Sequence, residues 1–301
     1  MSSLFITGAT GFVGRSLARK IDPARFDRVY CLSRGAAGAD LSAEHFEVVR
    51  GSLSEPETYA PYLKNCETVV HLAATTGKAA PEEYFRTNAD GTRLLVEGCE
   101  QAGVRNFLYV STIAVKYPDK TRYYYAQSKE QGEAAVRRSS MRHAIVRPTI
   151  VIGKGAPVWQ TLSKIGRQSV LLMPGDGTTK IQPIDVEDLA ESLLTIIDGD
   201  HFANETYELG GPERITFEHL LKSIHRHYHR KDPSVIHLPL WPMVAALSLM
   251  EKLFSAALPV SVGQLSAFAN DGTAEVNRIH DLSAPRMKSV GEMLRRVTAD
   301  E

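Results

Sequence analysis

The chain has 301 residues, of which 43% are hydrophobic and 23% charged, and its 35 basic residues balance 35 acidic ones. These values are ordinary for a soluble globular protein, and a net charge of zero argues against nucleic acid or an anionic membrane surface as the main partner. The cysteines lack metal-site spacing and indicate buried thiols in a reducing, cytoplasmic compartment: Cys31, Cys66 and Cys99. Regular structure is expected from about residue 3, which leaves no room for a signal peptide.

A glycine-rich turn dominates the start of the chain. Residues 4–6 predict a buried strand, and residues 12–20 predict a helix. Strand, glycine turn and helix in this order are typical of a dinucleotide-binding motif, in which Gly8 permits the turn, Gly11 admits a pyrophosphate and Gly14 allows close packing. The helix start presents N–H groups to the phosphates. The predicted cofactor contacts here are Gly8, Thr10, Gly11, Phe12, Val13 and Gly14; a purely structural turn is the alternative.

The end of the second predicted strand, residues 28–32, bears on the choice of cofactor. An acid at this point would bind the ribose hydroxyls of NAD, whereas an arginine suits the 2′-phosphate of NADP. The sequence reads Ser33-Arg34, with no acid before Asp40. We therefore expect NADP(H) to be favoured, with NAD(H) possible and with a solvated loop position for Arg34 as the alternative.

Alternating strands and helices continue through the first half of the chain. Further strands are predicted at residues 47–49, 68–72, 106–110 and 143–147, with a long helix at about 82–102. This alternation predicts a doubly wound, parallel α/β sheet of the Rossmann type. Small residues after the fourth strand would let the backbone approach the cofactor, and hydroxyls after the fifth lie where such sheets bind ligands. These candidates are Leu72, Ala73, Ala74, Ser111 and Thr112, although the hydroxyls would also suit a turn.

Tyr125 and Lys129 are four residues apart in a predicted helix and therefore share one face. An ammonium group beside a phenol favours the phenolate, which would lower the phenol pKa and make Tyr125 a proton donor or acceptor near neutral pH. A chance pairing on the surface is the alternative.

The second half of the chain is less regular. Helices are predicted at about 158–166, 185–197 and 217–228, and a strand at 206–209. Residues 154–180 leave the sheet and residues 181–200 return to it. We therefore predict a Rossmann domain of residues 1–153 with 181–200, and a smaller, discontinuous substrate lobe of 154–180 and 205–301. The histidine-rich helix has His225 and His229 on one face but no completing ligand, so no metal site is expected.

The most apolar stretch runs from Leu238 to Val262. Prolines and the charged pair Glu251-Lys252 interrupt it, so no membrane-spanning helix is expected. Its composition predicts a helix with a wide apolar face that belongs to the core or covers a pocket or a partner. A surface contact with a membrane or another subunit remains as an alternative.

Taken in order, these motifs resemble the extended short-chain dehydrogenases/reductases of the epimerase/dehydratase type. The matching segments are Thr7–Gly14, Asn88–Thr92, Thr112, Tyr125–Lys129 and Arg147-Pro148. The resemblance implies that Tyr125 is the general acid/base, that Lys129 binds the nicotinamide ribose and tunes Tyr125, and that Thr112 binds the reacting oxygen. Further implied cofactor contacts are Ser52, Leu53, Asn88, Val110 and Pro148.

Two departures and one narrower resemblance refine the hypothesis. Ser52 stands where the family usually has an aspartate that touches adenine, and the sequence after Thr112 lacks the Val-Tyr-Gly of many sugar-nucleotide enzymes. The second half is similar to the complex I accessory-subunit-like NADPH-binding reductases. Three functions therefore remain open: a reductase acting on a small, partly apolar carbonyl or alcohol, a sugar-nucleotide epimerase/dehydratase with bound NAD, and a non-catalytic NADPH-binding assembly or sensor protein. The resemblance also implies a possible homodimer through the helices around Arg93 and Gln131.

Overall fold

The computed structural model describes residues 3–35, 41, 45–244 and 268–299. The strands in chain order are β1 (Ser3–Thr7), β2 (Val29–Ser33), β3 (Phe46–Arg50), β4 (Cys66–His71), β5 (Asn106–Val110), β6 (Arg142–Pro148), β7 (Val151–Ile152), β8 (Val170–Pro174), β9 (Lys180–Ile181), β10 (Ile184–Asp185), β11 (Glu205–Leu209), β12 (Ile215–Thr216) and β13 (Ser234–Leu238). The α-helices are α1 (Phe12–Lys20), α2 (Ala60–Leu63), α3 (Pro81–Tyr84), α4 (Gly91–Ala102), α5 (Tyr124–Arg138), α6 (Pro157–Gly166), α7 (Val186–Asp198), α8 (Phe217–His229), α9 (Arg278–Ser283) and α10 (Val290–Thr298).

Seven strands form one sheet in the order β3-β2-β1-β4-β5-β6-β11, and every neighbouring pair is parallel. The chain first builds outward from β1 to β3 and then returns to add β4 on the other side. The order therefore reverses between β1 and β4, which opens a crevice at the carboxyl ends of these two strands. The predicted Rossmann-type fold is confirmed.

Helices cover both faces of this sheet. On one face, α1 and α7 pack against each other and bury Leu17, Leu189 and Leu193 on the β1 side chains Leu4 and Ile6. On the other face, α2, α4 and α5 cover a second cluster that includes Cys66 and Cys99. All three cysteines are buried and unpaired, as predicted, and burial raises the pKa of the Cys31 and Cys66 thiols to about 12.

A third hydrophobic cluster lies outside the sheet. It joins β7, α6, β8, α8 and α10 around Trp159, Leu171, Met173 and Ile224. The apolar run at 170–173, for which the sequence predicts no element, forms β8 and pairs in parallel with β13. The sequence shows no alternation of apolar and polar residues here, because apolar residues occupy both faces of β8. The stretch expected to be helical from Leu238 begins instead as the end of β13; residues 240–244 are helical, and residues 245–267 lie outside the described residues.

The long helix predicted at about 82–102 is not one regular α-helix. Between α3 and α4, the segment Phe85–Asp90 is a π-helix. A π-turn holds more residues than an α-turn, so it changes which side chains face the sheet. Asn88 and Ala89 are buried in this segment. Apolar periodicity averages over such a local change, and for this reason the sequence does not reveal it.

Ion pairs hold Lys288 and helix α10 against helix α7. Asp185, the N-cap of α7, is fully buried and pairs with Arg296 of α10 at 2.7 Å. Asp188, also buried, accepts hydrogen bonds from the backbone N–H and the ammonium group of Lys288. These pairs fix α10 against α7. Within the described ranges, no helix combines the length and apolar character needed to cross a membrane.

Candidate cofactor and active site

The turn after β1 shows why glycine is needed at two positions. Gly8 has φ +74°, and a Cβ there would lie 2.6 Å from the backbone nitrogen of Ala73 on the neighbouring strand. A Cβ on Gly14 would overlap the Gly8 carbonyl oxygen. At Gly11, by contrast, a Cβ would make one close contact, with the Gly8 oxygen at 3.1 Å, and Gly11 otherwise faces the cleft. α1 starts at Phe12 with no side-chain cap, which leaves its first N–H groups available to an anion.

A cleft of about 390 Å³ opens beside this turn, at the carboxyl ends of β1, β2 and β4. Ten predicted cofactor residues line it: Gly8, Thr10, Gly11, Ser33, Arg34, Ser52, Leu53, Leu72, Ala73 and Ala74. Seven further lining residues were not predicted as cofactor contacts: Thr7, Leu32, Gly51, Ser54, Thr75, Arg86 and Thr87. Most of them are immediate neighbours of predicted residues. Arg86 and Thr87 come from the π-helix, which no sequence signal indicated.

The cleft is cationic and rich in hydroxyl groups. Arg34 and Arg86 are its charged residues, and no acid lies among the described residues that line it. The Ser33 hydroxyl donates to the Gly35 carbonyl at 3.2 Å, which shapes the turn that follows β2. Residues 36–40, including Asp40, lie outside the described residues. This composition suits a phosphate better than a pair of ribose hydroxyls.

Asn88 supports the cleft from beneath rather than lining it. Its Oδ1 accepts from the Thr75 N–H at 2.8 Å, and its Nδ2 donates to the Thr75 carbonyl and to the Ser128 hydroxyl, both at 3.0 Å. Ser128 lies between Tyr125 and Lys129 on α5. The fully buried amide of Asn88 therefore couples the loop after β4 to the helix that carries the predicted catalytic pair.

His71, at the end of β4, is the centre of a buried hydrogen-bond chain that the sequence analysis missed. The Thr92 hydroxyl donates to the Asn88 carbonyl at 2.8 Å, so its oxygen accepts from Nε2–H of His71 at 2.9 Å. Nδ1 of His71 then accepts from the Thr7 hydroxyl at 2.6 Å, and the oxygen of Thr7 accepts from the Ala73 N–H at 3.2 Å. Burial, followed by the charge of Lys129, lowers the pKa of His71 well below its usual value, so the ring is neutral.

Lys129 is almost fully buried, with 1% of its surface exposed. Its Nζ lies 4.1 Å from the centroid of the Tyr109 ring, and the same ring stacks with His71 at 5.4 Å between ring centroids. Burial lowers the pKa of Lys129 to about 7, against a smaller opposing effect of Glu133. Glu133 itself pairs with Arg147 at 2.7 Å and Arg137 at 3.0 Å.

Tyr125 is partly buried in the same region. Burial raises its phenol pKa to about 12, the nearby Tyr84 acts in the same direction, and a hydrogen bond with Thr112 opposes both. The expectation that Lys129 lowers the pKa of Tyr125 toward neutrality is therefore wrong: in the protein without a cofactor, burial outweighs the other effects and raises this pKa. Tyr125 is held protonated, and Lys129 is the group that titrates near pH 7.

Aromatic rings surround the Tyr125 side chain. The rings of Tyr84 and Tyr123 each lie 6.2 Å from it, and Tyr117 stacks on Tyr123 at 6.3 Å. Tyr84 is fixed by a hydrogen bond from its hydroxyl to the Gly77 carbonyl. The phenol of Tyr125 therefore lies beside a cluster of aromatic rings.

The remaining predicted residues lie next to the cleft without lining it. Val110, Ser111 and Pro148 lie at the carboxyl ends of the neighbouring strands β5 and β6, and the buried Ser111 hydroxyl has no hydrogen-bond partner among the described residues. Phe12 packs toward the third cluster and Val13 toward the α1–α7 layer. Thr112 caps a short 3₁₀-helix, its hydroxyl accepting from the Ala114 N–H at 3.3 Å.

A dinucleotide-type crevice with a Tyr-x-x-x-Lys pair on the adjoining helix defines an enzyme of the NAD(P)-dependent short-chain dehydrogenase/reductase type. The chain belongs to the NAD dependent epimerase/dehydratase family, whose model matches residues 4–210. The predicted family resemblance is confirmed.

Three curated relatives illustrate how varied this family is. The chain is 33% identical to a ceramide reductase of Caulobacter vibrioides over 63% of its own length and 59% of that protein, so the match spans under two thirds of the relative. It is 27% identical to UDP-glucose 4-epimerase of Vibrio cholerae over 74% of each chain. It is 26% identical to the mitochondrial NADH dehydrogenase [ubiquinone] 1 alpha subcomplex subunit 9 of Arabidopsis thaliana, over 81% of this chain and 61% of that one.

The fold also matches solved structures over the whole chain. The crystal structure titled gox2253 superimposes with a TM-score of 0.79 at 23% identity, covering 99% of this chain and 97% of that one. This likeness concerns the fold alone.

Proposed function

We propose that the protein is an NADP(H)-dependent reductase that acts on the carbonyl group of a partly apolar substrate, with Tyr125 as the proton donor. The observation that carries this proposal is the pairing of two features: a cleft at Arg34 whose described lining is cationic and carries no acid, and a protonated Tyr125 that lies beside aromatic rings. The charge of the cleft supports NADP(H) as the cofactor, and the aromatic rings beside Tyr125 support a partly apolar substrate.

The residues of the cleft fit a dinucleotide. The space at Gly11 and the uncapped N–H groups of α1 would hold the pyrophosphate, while Ser33 and Arg34 would hold the 2′-phosphate. Ser52 and Leu53 would contact the adenine, and Ala73 and Ala74 would let the backbone lie against the cofactor. The bound nicotinamide supplies the hydride chemistry.

Tyr125 would act on the reacting oxygen as a general acid. A phenol whose pKa is about 12 keeps its proton at neutral pH and can donate it to an oxygen that gains negative charge. Thr112, bonded to the same phenol, would fix that oxygen by a second hydrogen bond. Lys129 would bind the ribose hydroxyls, and its positive charge would ease proton loss from Tyr125 during the transfer.

Arg34 provides the test of the cofactor proposal. Calorimetric titration should give NADPH at least about tenfold tighter binding than NADH, equivalent to about 1.4 kcal/mol. Arg34→Ala should remove this difference while leaving NADH affinity unchanged. Arg86→Ala is the matched variant, since it removes the other cationic side chain of the cleft. Equal binding of NADH and NADPH by the wild type would contradict the NADP(H) proposal.

The reductase activity needs a separate test. Long-chain and aromatic ketones and aldehydes should be screened for NADPH consumption with the wild type and with the Tyr125→Phe variant. That variant should bind NADPH normally and lose turnover by a factor of about 10² to 10⁴. Turnover unchanged in Tyr125→Phe would exclude the proposed role of the phenol.

Two alternatives follow from the relatives. The similarity to UDP-glucose 4-epimerase along three quarters of the chain favours a sugar-nucleotide enzyme as the second candidate, which would retain NAD during purification. The similarity to a complex I subunit favours an NADPH-binding assembly protein, for which Tyr125→Phe would leave the cellular function intact.

We also propose that two copies of the chain associate through α4 and α5, near Arg93 and Gln131, as the family resemblance implies.

A further inference from the structure

The small sheet of β8 and β13 has an outer face that is unusually apolar. Leu172 lies directly opposite Ile236 in the parallel register, so both side chains project from the same face. Leu172 is 54% exposed and Ile236 50%, while the alternate residues Leu171 and Met173 are fully buried in the third cluster. A strand at a protein surface normally carries polar side chains on its outer face. Here β8 is apolar on both faces, whereas β13 carries one polar residue on each face, Ser234 and His237.

The apolar surface continues beyond the strands. Trp241, three residues after β13, is 77% exposed, and Val244 is exposed one helical turn later. With Val170 at the start of β8, this makes five of the seven large hydrophobic side chains that are exposed in the described part of the chain. We call these five residues the apolar ribbon: Val170, Leu172, Ile236, Trp241 and Val244. Such clustering marks an interaction surface rather than scattered exposure.

Basic residues are concentrated next to the apolar ribbon. Arg167 precedes β8, Arg230 and Lys231 precede β13, and His229 Nε2 joins the two loops by contacting the Arg167 carbonyl at 2.9 Å. Across residues 157–170 and 217–234 there are six basic and two acidic residues, which gives 6 − 2 = +4. Because the whole chain is neutral, with 35 of each sign, the remainder carries −4. Lys222 pairs with Glu218 and Arg226 with Asp232. The surplus positive charge therefore lies on Lys164, Arg167, Arg230 and Lys231, of which the last three lie between a helix and β8 or β13.

We propose that the apolar ribbon and its basic margin bind the surface of a bilayer that contains anionic phospholipids. Exposed tryptophan favours the headgroup level of a membrane, aliphatic side chains enter the acyl boundary, and lysine and arginine bind anionic headgroups. A second copy of the chain fits poorly, because a symmetric contact would bring two regions of charge +4 face to face. This proposal differs from the expectation, drawn from the total charge, that an anionic membrane surface is not the main partner. The proposal is independent of the reductase function.

Trp241 allows binding to be observed directly. The chain has two tryptophans, of which Trp159 is buried, so Trp159→Phe leaves Trp241 as the sole emitter. Vesicles of phosphatidylcholine, with and without about one third phosphatidylglycerol, should be titrated against this variant. We expect a blue shift and cosedimentation with the anionic vesicles, both weakened by added salt.

Paired variants test the surface itself. Leu172→Glu with Ile236→Glu should abolish binding, whereas Val276→Glu with Leu282→Glu, at 68% and 56% exposure outside the apolar ribbon, should not affect it. Arg230→Gln with Lys231→Gln should weaken binding about 25-fold, since each basic residue near the surface contributes roughly a factor of five. Unchanged melting temperatures would show that all variants fold.

Three results would overturn the proposal. One is absence of binding to anionic vesicles at low salt. Another is binding that the Leu172→Glu, Ile236→Glu variant retains. The third is a concentration-dependent dimer in analytical ultracentrifugation that this variant dissociates, which would show that a second copy covers the face.

Discussion

The ammonium group of Lys129 lies 4.1 Å from the centre of the Tyr109 ring, in a position that is almost completely removed from water. The ring offers its negative face to the charge, but a cation–π contact replaces only part of the hydration that a lysine loses. The pKa of about 7 expresses this imbalance. Lys129 is thus retained at a cost in stability, as functional groups often are.

Lys129→Met should therefore make the protein more stable and inactive. Methionine has a similar length and carries no charge to desolvate, so we expect the melting temperature to rise by about 2–5 °C at pH 7. Turnover should fall at least about 100-fold. Lys64→Met, at an exposed position, is the control and should change neither quantity. A lower melting temperature in Lys129→Met would contradict this account of the buried charge.

Coenzyme affinity should depend on pH through the same lysine. Because burial lowers the pKa of Lys129 to about 7, its ammonium group is protonated at lower pH and loses its proton at higher pH. In the proposed role, the protonated form donates to the ribose hydroxyls. Affinity should therefore decrease as the pH rises through about 7. The measurement is best made with NADH, because it lacks the 2′-phosphate that would titrate in the same range. A Lys129→Met variant with the same pH dependence would assign the effect to another group.

Replacing His71 should lower both the stability of the protein and its affinity for NADPH. His71→Phe fills the same space but leaves the buried Thr7 hydroxyl without its acceptor and Thr92 without its donor. We expect a loss of about 2–4 kcal/mol in unfolding free energy, measured by chemical denaturation. Because Thr7 and Ala73 line the cleft, NADPH affinity should also fall. His71→Gln, which keeps hydrogen-bonding groups, should lose less of both; equal losses would reject the hydrogen-bond explanation.

Two glycines of the first turn should have different roles, Gly14 in folding and Gly11 in cofactor binding. Gly14→Ala should prevent the folded packing, because its Cβ would overlap the Gly8 carbonyl. Gly11→Ala should fold but bind NADPH at least about tenfold more weakly, since the methyl group enters the space assigned to the pyrophosphate. Gly291→Ala is the control, because among the described residues its Cβ would meet the Arg295 side chain alone, at 3.7 Å, and its φ is not positive. The measurements are thermal unfolding and calorimetric titration.

The sequence predicted the parts of the site that depend on local chain chemistry. The glycine turn, Ser33-Arg34 and the small residues Ala73-Ala74 all lie where strands end, and the parallel sheet then brings them into one cleft. His71 was missed because a single histidine at a strand end carries no spacing signal. Its partners, Thr7 and Thr92, come from distant segments, and the chain of hydrogen bonds exists only after the sheet and the helix meet.

The pKa values of Tyr125 and Lys129 could not be deduced from their spacing. A four-residue interval places two side chains on one helix face, but burial decides the direction of each shift. Lys129 turns toward Tyr109 in the core, and Tyr125 is enclosed by Tyr84 and Tyr123. These surroundings come from β5, α3 and the start of α5, which no local pattern connects. The outer face of β8 and β13 escaped notice for a similar reason, since a short apolar run does not reveal which of its residues are exposed.

The sheet is completed out of chain order, and this limits how the molecule can be divided. β11 is the edge strand beside β6, and α7 covers one face of the sheet, yet the chain builds β7, α6 and β8 before it reaches either. A fragment ending at residue 153 would lack both elements and would expose the side chains that they bury on α1 and β6. Exchange of the segments outside the sheet with those of a relative therefore needs at least three junctions, one on each side of residues 154–180 and another after β11. A chimera with a single junction at residue 153 would separate the strands β1 to β6 from their own β11 and α7.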